Sequence, residues 1–438
     1  MALVATPCES PACSGRSFDS YHSSASGGGC SVQSLECYNP SGRDLALNYI
    51  DSLMAHDSTK IQSSRSFLSS SNFSGRWEEH EDLCDHLEGC GLESVQKEMR
   101  AWRVVAGELE LDTSAPVPKP GKGEVLVKVM HASVNPIDWK LMGGGTPLFR
   151  AREPYTPGFD FSGVIEGVGP GTDIEIGERV IGYLGLMETC SVEGGEGGLA
   201  GSFAEYCCLP SSRVAVIPGY SDPRELAGLP LAGLTAYQAL FTGSGGRSLQ
   251  GGPLGSLKKG QKVLVLGGST GTGCFGVQLA KAVGARVTAT ASDAKMPVGG
   301  KQTKLDWVKS LGADRVINYR VRDWAEDLAG QEFDMIFDCV GDDSDVSKAD
   351  KVLKSGAPFV SIANFAPTIP KDCRTKFANF IVAANGDDLS ELVTLTELNK
   401  LEVPVDSAHP LENLQDALER SRTSRAAGKI IIDVAPLL

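Results

Sequence analysis

The sequence predicts an α/β protein in which a β-rich domain is followed by a doubly wound parallel sheet. Short apolar runs separated by Gly and Pro fill residues 99–230, as in a compact β domain. From residue 263 onward, apolar runs alternate with segments of helical spacing, which predicts a parallel sheet covered by helices. A glycine-rich turn directly follows the first of these runs and precedes a helix. Residues 1–98 share none of these patterns.

Residues 1–98 are predicted to form a largely disordered extension. Serine is abundant there, and segments such as 63–71 bury too little apolar surface to offset the entropy of ordering. The first residues are poor in acids, as plastid transit peptides are, yet Arg16 is the only Lys or Arg within residues 1–35. We therefore expect a cytoplasmic protein, and leave a plastid location open if this extension includes a transit peptide.

Composition excludes several classes of protein. The 438 residues carry a formal net charge of −14, which argues against a binder of nucleic acid or of anionic membranes. No run of about 18 apolar residues occurs, so we expect no transmembrane segment. The 12 cysteines include no C-x-x-C pair, so the sequence predicts neither a structural zinc site nor a disulfide framework.

Strands and helices are assigned from the period of the apolar residues. In the first domain, residues 99–230, strands are predicted at 101–105 and 124–130, joined by a Pro- and Gly-rich connection at 116–123. The second domain, residues 231–385, has predicted strands at 263–266, 286–291, 315–317, 335–338 and 359–362, with helices at 277–283, 305–311 and 346–353. A helix at 414–420 and a strand at 429–434 follow in residues 386–438.

The glycine-rich turn after residues 263–266 is the main candidate for a binding site. A turn of this kind lets backbone N–H groups approach a pyrophosphate, and the dipole of the next helix adds partial positive charge. The dinucleotide pattern fits in two registers, from Gly271 to Gly276 or from Gly268 to Gly273, and the second lies closer to the strand. The candidate residues of the turn are Gly268, Ser269, Thr270, Gly271, Thr272 and Gly273.

Residues 99–434 resemble the medium-chain dehydrogenase/reductase superfamily, and within it the zinc-independent quinone oxidoreductases and alkenal or enone reductases, including the chloroplast-envelope type. The motifs that carry the resemblance follow one another in the family's order. They are Asn135-Pro-Ile-Asp-Trp-Lys140, Pro157-Gly-Phe-Asp-Phe161, Gly177-Glu-Arg-Val180, Leu229-Pro-Leu-Ala-Gly-Leu-Thr-Ala-Tyr-Gln238, the glycine-rich turn, Leu311-Gly-Ala-Asp314 and Gly428-Lys-Ile430. The resemblance implies a GroES-like catalytic domain, a Rossmann-type cofactor domain, a tail at 386–438 that returns to the catalytic domain, and a homodimer.

The resemblance also bears on metal binding and catalysis. Zinc-binding members of the superfamily have a cysteine where this chain has Asn135 and a histidine where it has Phe159, and neither residue here can ligate zinc. We therefore expect no metal, and hydride delivery from a nicotinamide to an activated C=C or to a quinone. Asn135 is the candidate to face the nicotinamide or the substrate oxygen, and Lys140 to stabilise or protonate the enolate. Alternatively, Asn135 only caps a turn and Lys140 is a solvated charge.

Two groups of residues are predicted to contact the cofactor beyond the glycine-rich turn. Val340, Ile362 and Ala363 follow strands of the parallel sheet, where ligands of such sheets collect. The resemblance adds Thr235, at a position that contacts the nicotinamide ribose in the family, and Tyr319, at a position near the adenosine phosphate.

The choice between NADPH and NADH depends on the end of the second strand. An acid there would bind the ribose hydroxyl of NAD, but the strand ends in small neutral residues up to Ser292. This leaves room for a 2′-phosphate, and Lys295 follows shortly, although Asp293 lies between them. The sequence therefore favours NADPH.

These observations favour an NADPH-dependent, zinc-free reductase of α,β-unsaturated carbonyls or quinones, with a small-molecule substrate. One alternative is a trans-acting enoyl-thioester reductase, whose carrier-bound substrate would require a basic mouth that this acidic chain does not suggest. Another is a non-enzymatic nucleotide-binding regulatory protein in which residues 1–98 carry the function.

Overall fold

The computed structural model describes residues 97–144, 149–186, 189, 200–241, 247–248, 254–296 and 301–435. The extension predicted for residues 1–98 lies outside the described residues, apart from its last two positions. The first strand begins at Glu98, one residue before the predicted start of the folded chain.

The chain alternates between strands and short helices. In chain order the strands are β1 (Glu98–Val105), β2 (Glu108–Pro116), β3 (Glu124–Val134), β4 (Asp160–Val168), β5 (Arg179–Tyr183), β6 (Tyr206–Pro210), β7 (Val214–Val216), β8 (Arg247–Ser248), β9 (Lys262–Leu266), β10 (Arg286–Ala291), β11 (Arg315–Asn318), β12 (Met335–Asp338), β13 (Pro358–Ser361), β14 (Lys376–Ile381), β15 (Val405–Pro410) and β16 (Lys429–Asp433). The helices are α1 (Pro136–Met142), α2 (Pro223–Leu226), α3 (Pro230–Phe241), α4 (Gly273–Ala282), α5 (Lys304–Ser310), α6 (Trp324–Asp327), α7 (Asp343–Lys348), α8 (Gly386–Glu397) and α9 (Leu414–Arg422).

The first sheet has the order β15-β16-β3-β4-β5-β7, and β6 also pairs with β3. Strand β3 lies inside this sheet, between β16 and β4. Its Val125, Val127 and Val129 are all buried in the core. The last strand, β16, runs antiparallel to β3 and places Ile430 opposite Val134. The end of the described chain therefore lies on the first sheet, whereas the return of all of residues 386–438 to the catalytic domain stays a prediction.

The second sheet has the order β11-β10-β9-β12-β13-β14-β8. Strands β9 to β14 are parallel to their neighbours, whereas the two-residue β8 runs antiparallel to β14. The order reverses between β9 and β12, and in such sheets a ligand binds outside the carboxyl ends of the strands at this reversal. The predicted α/β class, with one β-rich and one parallel-sheet part, is confirmed.

One strand of the first domain departs from the prediction. Residues 108–116 form β2, which pairs with β1 as a hairpin, and the predicted connection at 116–123 begins only after it. Ala106 and Gly107 make the turn with φ of 50° and 83°, in the left-handed region. The apolar pattern does not indicate this strand, because it is mostly exposed and therefore lacks an apolar run.

A second departure concerns the helix predicted at 346–353. The structure has α7 over Asp343–Lys348 and then a 3-10 turn over Ala349–Lys351. The helix starts earlier because Asp342 caps it, accepting a hydrogen bond from the Ser344 amide at 2.9 Å.

Two buried glutamines attach helices α3 and α4 to the segments that lead back to the first sheet. Gln238 of α3 both donates to and accepts from the Ala383 backbone, at 3.1 and 3.0 Å. Gln278 of α4 does the same with the Glu402 backbone, at 3.1 and 2.8 Å.

Within the described part of the chain, no helix is both long and apolar enough to cross a membrane.

Candidate cofactor-binding site

The glycine-rich turn is anchored to the neighbouring strand β10 through one residue. Gly267 has a φ of 79°, which a side chain would disfavour, and its amide donates to the Thr290 hydroxyl at 2.9 Å. The Gly268 amide donates to the Thr290 carbonyl, also at 2.9 Å. The turn is thereby fixed at the carboxyl end of β9.

The helix after the turn begins at Gly273, four residues before the predicted start. Its first amides are partly occupied, because those of Gly273 and Cys274 donate to the hydroxyl and carbonyl of Thr270 at 2.9 and 3.1 Å. Among the described residues, the amides of Gly271 and Thr272 have no acceptor. They are the donors that a phosphate group would meet at this helix end.

Steric contacts show which glycines the turn requires. A Cβ on Gly273 would lie 2.1 Å from the Gly267 carbonyl oxygen, and one on Gly276 would lie 2.9 Å from the Phe337 ring. At Gly271 the nearest atom would be 3.4 Å away, which is ordinary contact. Gly273 therefore closes the turn and Gly276 packs the helix on the sheet, so both predicted registers contain required glycines.

The parallel sheet brings the other predicted cofactor residues to the same edge. Ser292 is buried just after β10, whereas Lys295 is exposed. Tyr319 and Val340 are each 54% exposed, just beyond β11 and β12. Ile362 lies directly after β13, followed by Ala363. These residues therefore lie along the carboxyl edge on both sides of the turn.

Asp338 organises the loops at this edge. Its buried carboxylate accepts from the amides of Val340 and Gly341 at 2.9 and 3.1 Å, and from the Ser361 hydroxyl at 2.7 Å. Burial raises the pKa of Asp338, and these donors oppose that shift. The ends of β12 and β13 are thus held together by one side chain.

A buried polar cluster lies on the first sheet beside the glycine-rich turn. Asn135 donates from Nδ2 to Asp160 Oδ2 at 2.8 Å, and its Oδ1 accepts from Lys429 Nζ at 2.6 Å. Lys429 Nζ also lies 3.4 Å from Asp160 Oδ2, and the Lys429 side chain is only 3% exposed. Asp160 further accepts from the Ser133 hydroxyl and the Leu231 amide. The cluster holds one cation in a network of polar partners.

Lys429 also approaches the turn itself. Its Cδ would be 3.8 Å from a Cβ on Gly271, and the Gly428 carbonyl oxygen would be 3.4 Å from it. The stem of Lys429 therefore lies beside Gly271 at the start of α4, while its ammonium is bound by Asn135 and Asp160. The motif Gly428-Lys-Ile430 carried part of the family resemblance, but no role was predicted for Lys429. The available signal was a lysine at the head of the apolar run Ile430–Ile432.

The predicted catalytic residues occupy different environments. Asn135 is buried, and both ends of its amide are engaged by Asp160 and Lys429, so here it orients Lys429. Lys140 is exposed on α1, with Nζ 5.7 Å from the centre of the Trp139 ring. Thr235 is buried in α3 and donates to the Leu231 carbonyl at 2.6 Å. Direct contacts of these three residues with substrate or cofactor stay predictions.

Asp138 is a buried acid next to this cluster. Its Oδ2 accepts from the Asn135 amide at 2.6 Å, while among the described residues its Oδ1 has no partner. Burial is the main cause that raises the pKa of Asp138 from 3.8 to about 8, and the nearby Asp160 adds to it. At neutral pH the carboxyl is therefore protonated.

Asn135 and Phe159, the positions at which zinc-binding members of the resembled superfamily carry ligands, hold groups that cannot ligate zinc. Asn135 is engaged as described, and Phe159 is fully buried with its ring 6.2 Å from that of Tyr183. In the described ranges, no group of three or more His, Cys, Asp or Glu is placed to hold a metal ion. The absence of zinc stays a prediction.

The described surface also contains two polar recesses away from the cluster. One is lined by residues such as Ser211, Asn385 and Asp387, and the other by residues such as Lys281, Asn399 and Lys400. Neither includes the glycine-rich turn, so we place the site from the strand ends and the buried cluster.

This fold and site define an oxidoreductase of the dehydrogenase type. The alcohol dehydrogenase GroES-like domain family matches residues 121–219, and the zinc-binding dehydrogenase family matches residues 311–432. The chain is 33% identical to the NADPH-dependent alkenal/one oxidoreductase, chloroplastic, of Arabidopsis thaliana, over 78% of this chain and 81% of the relative. It is 32% identical to the chloroplastic quinone-oxidoreductase QR1 of Triphysaria versicolor, over 73% and 92%.

A solved structure supports the same assignment. The quinone oxidoreductase from Coxiella burnetii is 26% identical and superposes with a TM-score of 0.61, covering 77% of this chain and all of that one. The chain belongs to the medium-chain dehydrogenase/reductase family, in its quinone oxidoreductase-like group. The resemblance stated from the sequence motifs is confirmed, as is the prediction of an oxidoreductase.

We predict that Gly273→Ala weakens NADPH binding by about 10-fold or more, because the new Cβ forces apart the turn that presents the amides. Isothermal titration calorimetry measures the dissociation constant. Gly219→Ala is the matched control, since a Cβ there would meet no atom within 4 Å and its φ is not positive. Equal affinity of the Gly273 variant and the control would contradict this account of the turn.

The Lys429–Asp160 pair gives a second prediction. Lys429→Met and Asp160→Asn each lower the free energy of unfolding by about 3 kcal/mol, because each leaves a buried group without its partner. The double variant regains most of that loss, since both charges are gone, yet still binds NADPH poorly. Chemical denaturation and calorimetry measure the two quantities. Recovery of binding in the double variant would show that Lys429 acts on stability alone.

Asp138 gives a prediction about pH. Because its folded pKa is raised, folding retains a proton that the unfolded chain releases, so stability falls as pH rises from about 4 to about 8. Asp138→Asn keeps an acceptor for the Asn135 amide but does not titrate. In the unaltered protein the free energy of unfolding falls as the pH rises from 6 to 8. In Asp138→Asn this fall should be smaller by about 2 kcal/mol. If the free energy of unfolding depended on pH in the same way in Asp138→Asn and in the exposed control Asp173→Asn, the raised pKa of Asp138 would be contradicted.

Proposed function

We propose that this protein is an NADPH-dependent reductase that transfers a hydride to the C=C of α,β-unsaturated carbonyls or to quinones, without zinc. The observation that carries the proposal is the pair of free amides of Gly271 and Thr272 at the start of α4, beside which the stem of the buried Lys429 packs. The relatives named as an NADPH-dependent alkenal/one oxidoreductase and a quinone oxidoreductase support the same chemistry.

The residues at the carboxyl edge fit a dinucleotide. The free amides and the dipole of α4 suit the diphosphate, and Lys429 supplies a positive charge whose position is fixed by Asn135 and Asp160. Val340, which is exposed, and Ile362 add apolar surface to the carboxyl edge of the sheet. When bound, NADPH supplies the hydride.

The 2′-phosphate is assigned to the ends of β10 and β11. Ser292 is small and buried there, and Lys295 and Tyr319 are exposed beside it. Asp293, whose charge counts against a phosphate at this position, is turned toward Arg320, with 3.5 Å between Oδ1 and Nη1. The pairing reduces the repulsion that the Asp293 carboxylate would exert on a phosphate.

The residues of the chain contribute mainly position and charge. Lys429 stabilises negative charge at the edge, and Asp160 and Asn135 keep its ammonium in place. The Asp138 carboxyl accepts a hydrogen bond from the Asn135 backbone amide and so fixes that backbone. Asn135 and Lys140 remain our candidates for the substrate end, where the exposed Lys140 could meet the enolate only if the substrate extends along α1.

Assembly and location extend the proposal. We retain the homodimer, formed through the cofactor domain as the resemblance implies. Relatives that are named chloroplastic favour a plastid over the cytoplasm, and residues 1–96, which would carry a targeting signal, lie outside the described residues.

A substrate panel tests the proposal. Quinones, 2-alkenals, enones and enoyl-CoA thioesters are supplied to the purified full chain with NADPH or NADH, and oxidation of the nicotinamide is followed at its absorption band. We expect turnover of alkenals, enones or quinones with NADPH ahead of NADH. Preference for the thioesters would favour the enoyl-thioester reductase instead. Binding of NADPH without turnover of any substrate would favour a regulatory protein.

A further inference from the structure

One residue of strand β14 departs from its surroundings. Asn379 lies between the buried apolar residues Ala378 and Phe380, and its own side chain is fully buried. Among the described residues, its Oδ1 has no hydrogen-bond partner. A buried polar atom without a partner lowers stability, because it has lost its contact with water and gained nothing in return. An apolar residue would suit this position of the strand better, so the amide requires a reason other than stability.

The other end of the Asn379 amide holds a loop. Its Nδ2 donates to the backbone carbonyl of Asn364, in the loop that follows β13. The Asn364 amide donates to the Ser361 hydroxyl at 3.1 Å, and the Asn364 side chain donates to Asp343 at 3.3 Å. Asn364 is therefore fixed through its carbonyl, its amide and its side chain, by residues of β14, β13 and α7 in turn.

The loop after β13 also touches the loop after β12. A Cβ on Gly341 would lie 2.9 Å from the Ala363 Cβ and 3.1 Å from the Asn364 amide nitrogen, so a larger residue would push the two loops apart. Asp338 holds the same two loops, because it accepts from the Gly341 amide and from the Ser361 hydroxyl. The loops therefore form one unit at the carboxyl edge of the sheet.

This unit lies on one side of the glycine-rich turn, and the predicted 2′-phosphate region lies on the other. The sheet order places β12 and β13 on one side of β9, and β10 and β11 on the opposite side. A dinucleotide with its diphosphate at the start of α4 and its 2′-phosphate at β10 and β11 extends its nicotinamide half over β12 and β13. Ile362 and Ala363, two of the predicted cofactor residues, lie on this side, in the loop that Asn379 holds.

We propose that Asn379 is a positioning residue, which fixes the Asn364 carbonyl and so sets the loop of residues 362–366 against the nicotinamide half of the nucleotide. The proposal rests on the proposed function in one respect, that the nucleotide lies across this edge of the sheet. Asn379 acts through the loop and needs no contact with the nucleotide. Its buried amide is retained because an apolar residue in its place would release the loop.

The binding test compares Asn379→Leu with the control Thr288→Val, which also replaces a buried polar residue of this sheet but lies in β10. Each protein is titrated by calorimetry with NADPH and with 2′-phospho-ADP-ribose, which has the diphosphate and the 2′-phosphate but no nicotinamide. We expect Asn379→Leu to weaken NADPH binding about 10-fold, because the released loop must be ordered again on binding. Binding of 2′-phospho-ADP-ribose should be unchanged.

A second measurement uses the cofactor-free protein and needs no activity. Hydrogen exchange followed by mass spectrometry should show the amides of residues 363–366 exchanging about 10-fold faster in Asn379→Leu than in the unaltered chain, with α4 unchanged. If Asn379→Leu does not fold, Asn379→Ala, which removes the same amide, replaces it. Failure of the proposed function would appear as an unaltered chain that binds neither ligand, and the exchange rates would still test the hold of Asn379 on the loop.

Two outcomes would overturn the proposal. An equal loss of affinity for NADPH and for 2′-phospho-ADP-ribose would show that Asn379 supports the parallel sheet as a whole. Unchanged affinities together with unchanged exchange of residues 363–366, as in the Thr288→Val control, would show that the amide holds nothing in place.

Discussion

The arrangement of the site depends on a single buried ammonium group. Lys429 opens the last described strand, Asn135 follows the end of β3 and Asp160 begins β4, yet all three meet in a space closed to solvent. A buried charge is costly unless polar partners surround it, so these residues must be kept together once the fold places them there. The glycine-rich turn then lies against the stem of Lys429, whose ammonium is fixed by Asn135 and Asp160 before any ligand arrives.

Much of the fold could be predicted from the sequence because burial leaves a clear pattern. Strands β9, β10 and β12 are buried over nearly their whole length, and the predicted bounds match them within one residue. Strand β2 was missed for the opposite reason, since an exposed strand carries charged residues and no apolar run. The predicted start of α4 lies four residues too late because the first turn of the helix contains two glycines, Gly273 and Gly276, which disfavour a helix.

The site was predictable in part. Residues that follow strand ends, such as Val340 and Ile362, could be placed because parallel strands deliver them to one edge. The partners of Asn135 could not, because its contact with Lys429 joins positions 294 residues apart and no local pattern records it. Lys140 shows the converse: a charged residue in a recognised motif proved to be on the exposed side of a helix, above Trp139.

Because β16 supplies Lys429, the order of synthesis determines when the buried cluster can form. Contacts between residues far apart in sequence form late and slowly. A nascent chain that has already made the parallel sheet still lacks the cation, and gains it only when the final strand docks beside β3. The buried cluster of Lys429, Asn135 and Asp160 is therefore completed only after the first sheet has gained its final described strand.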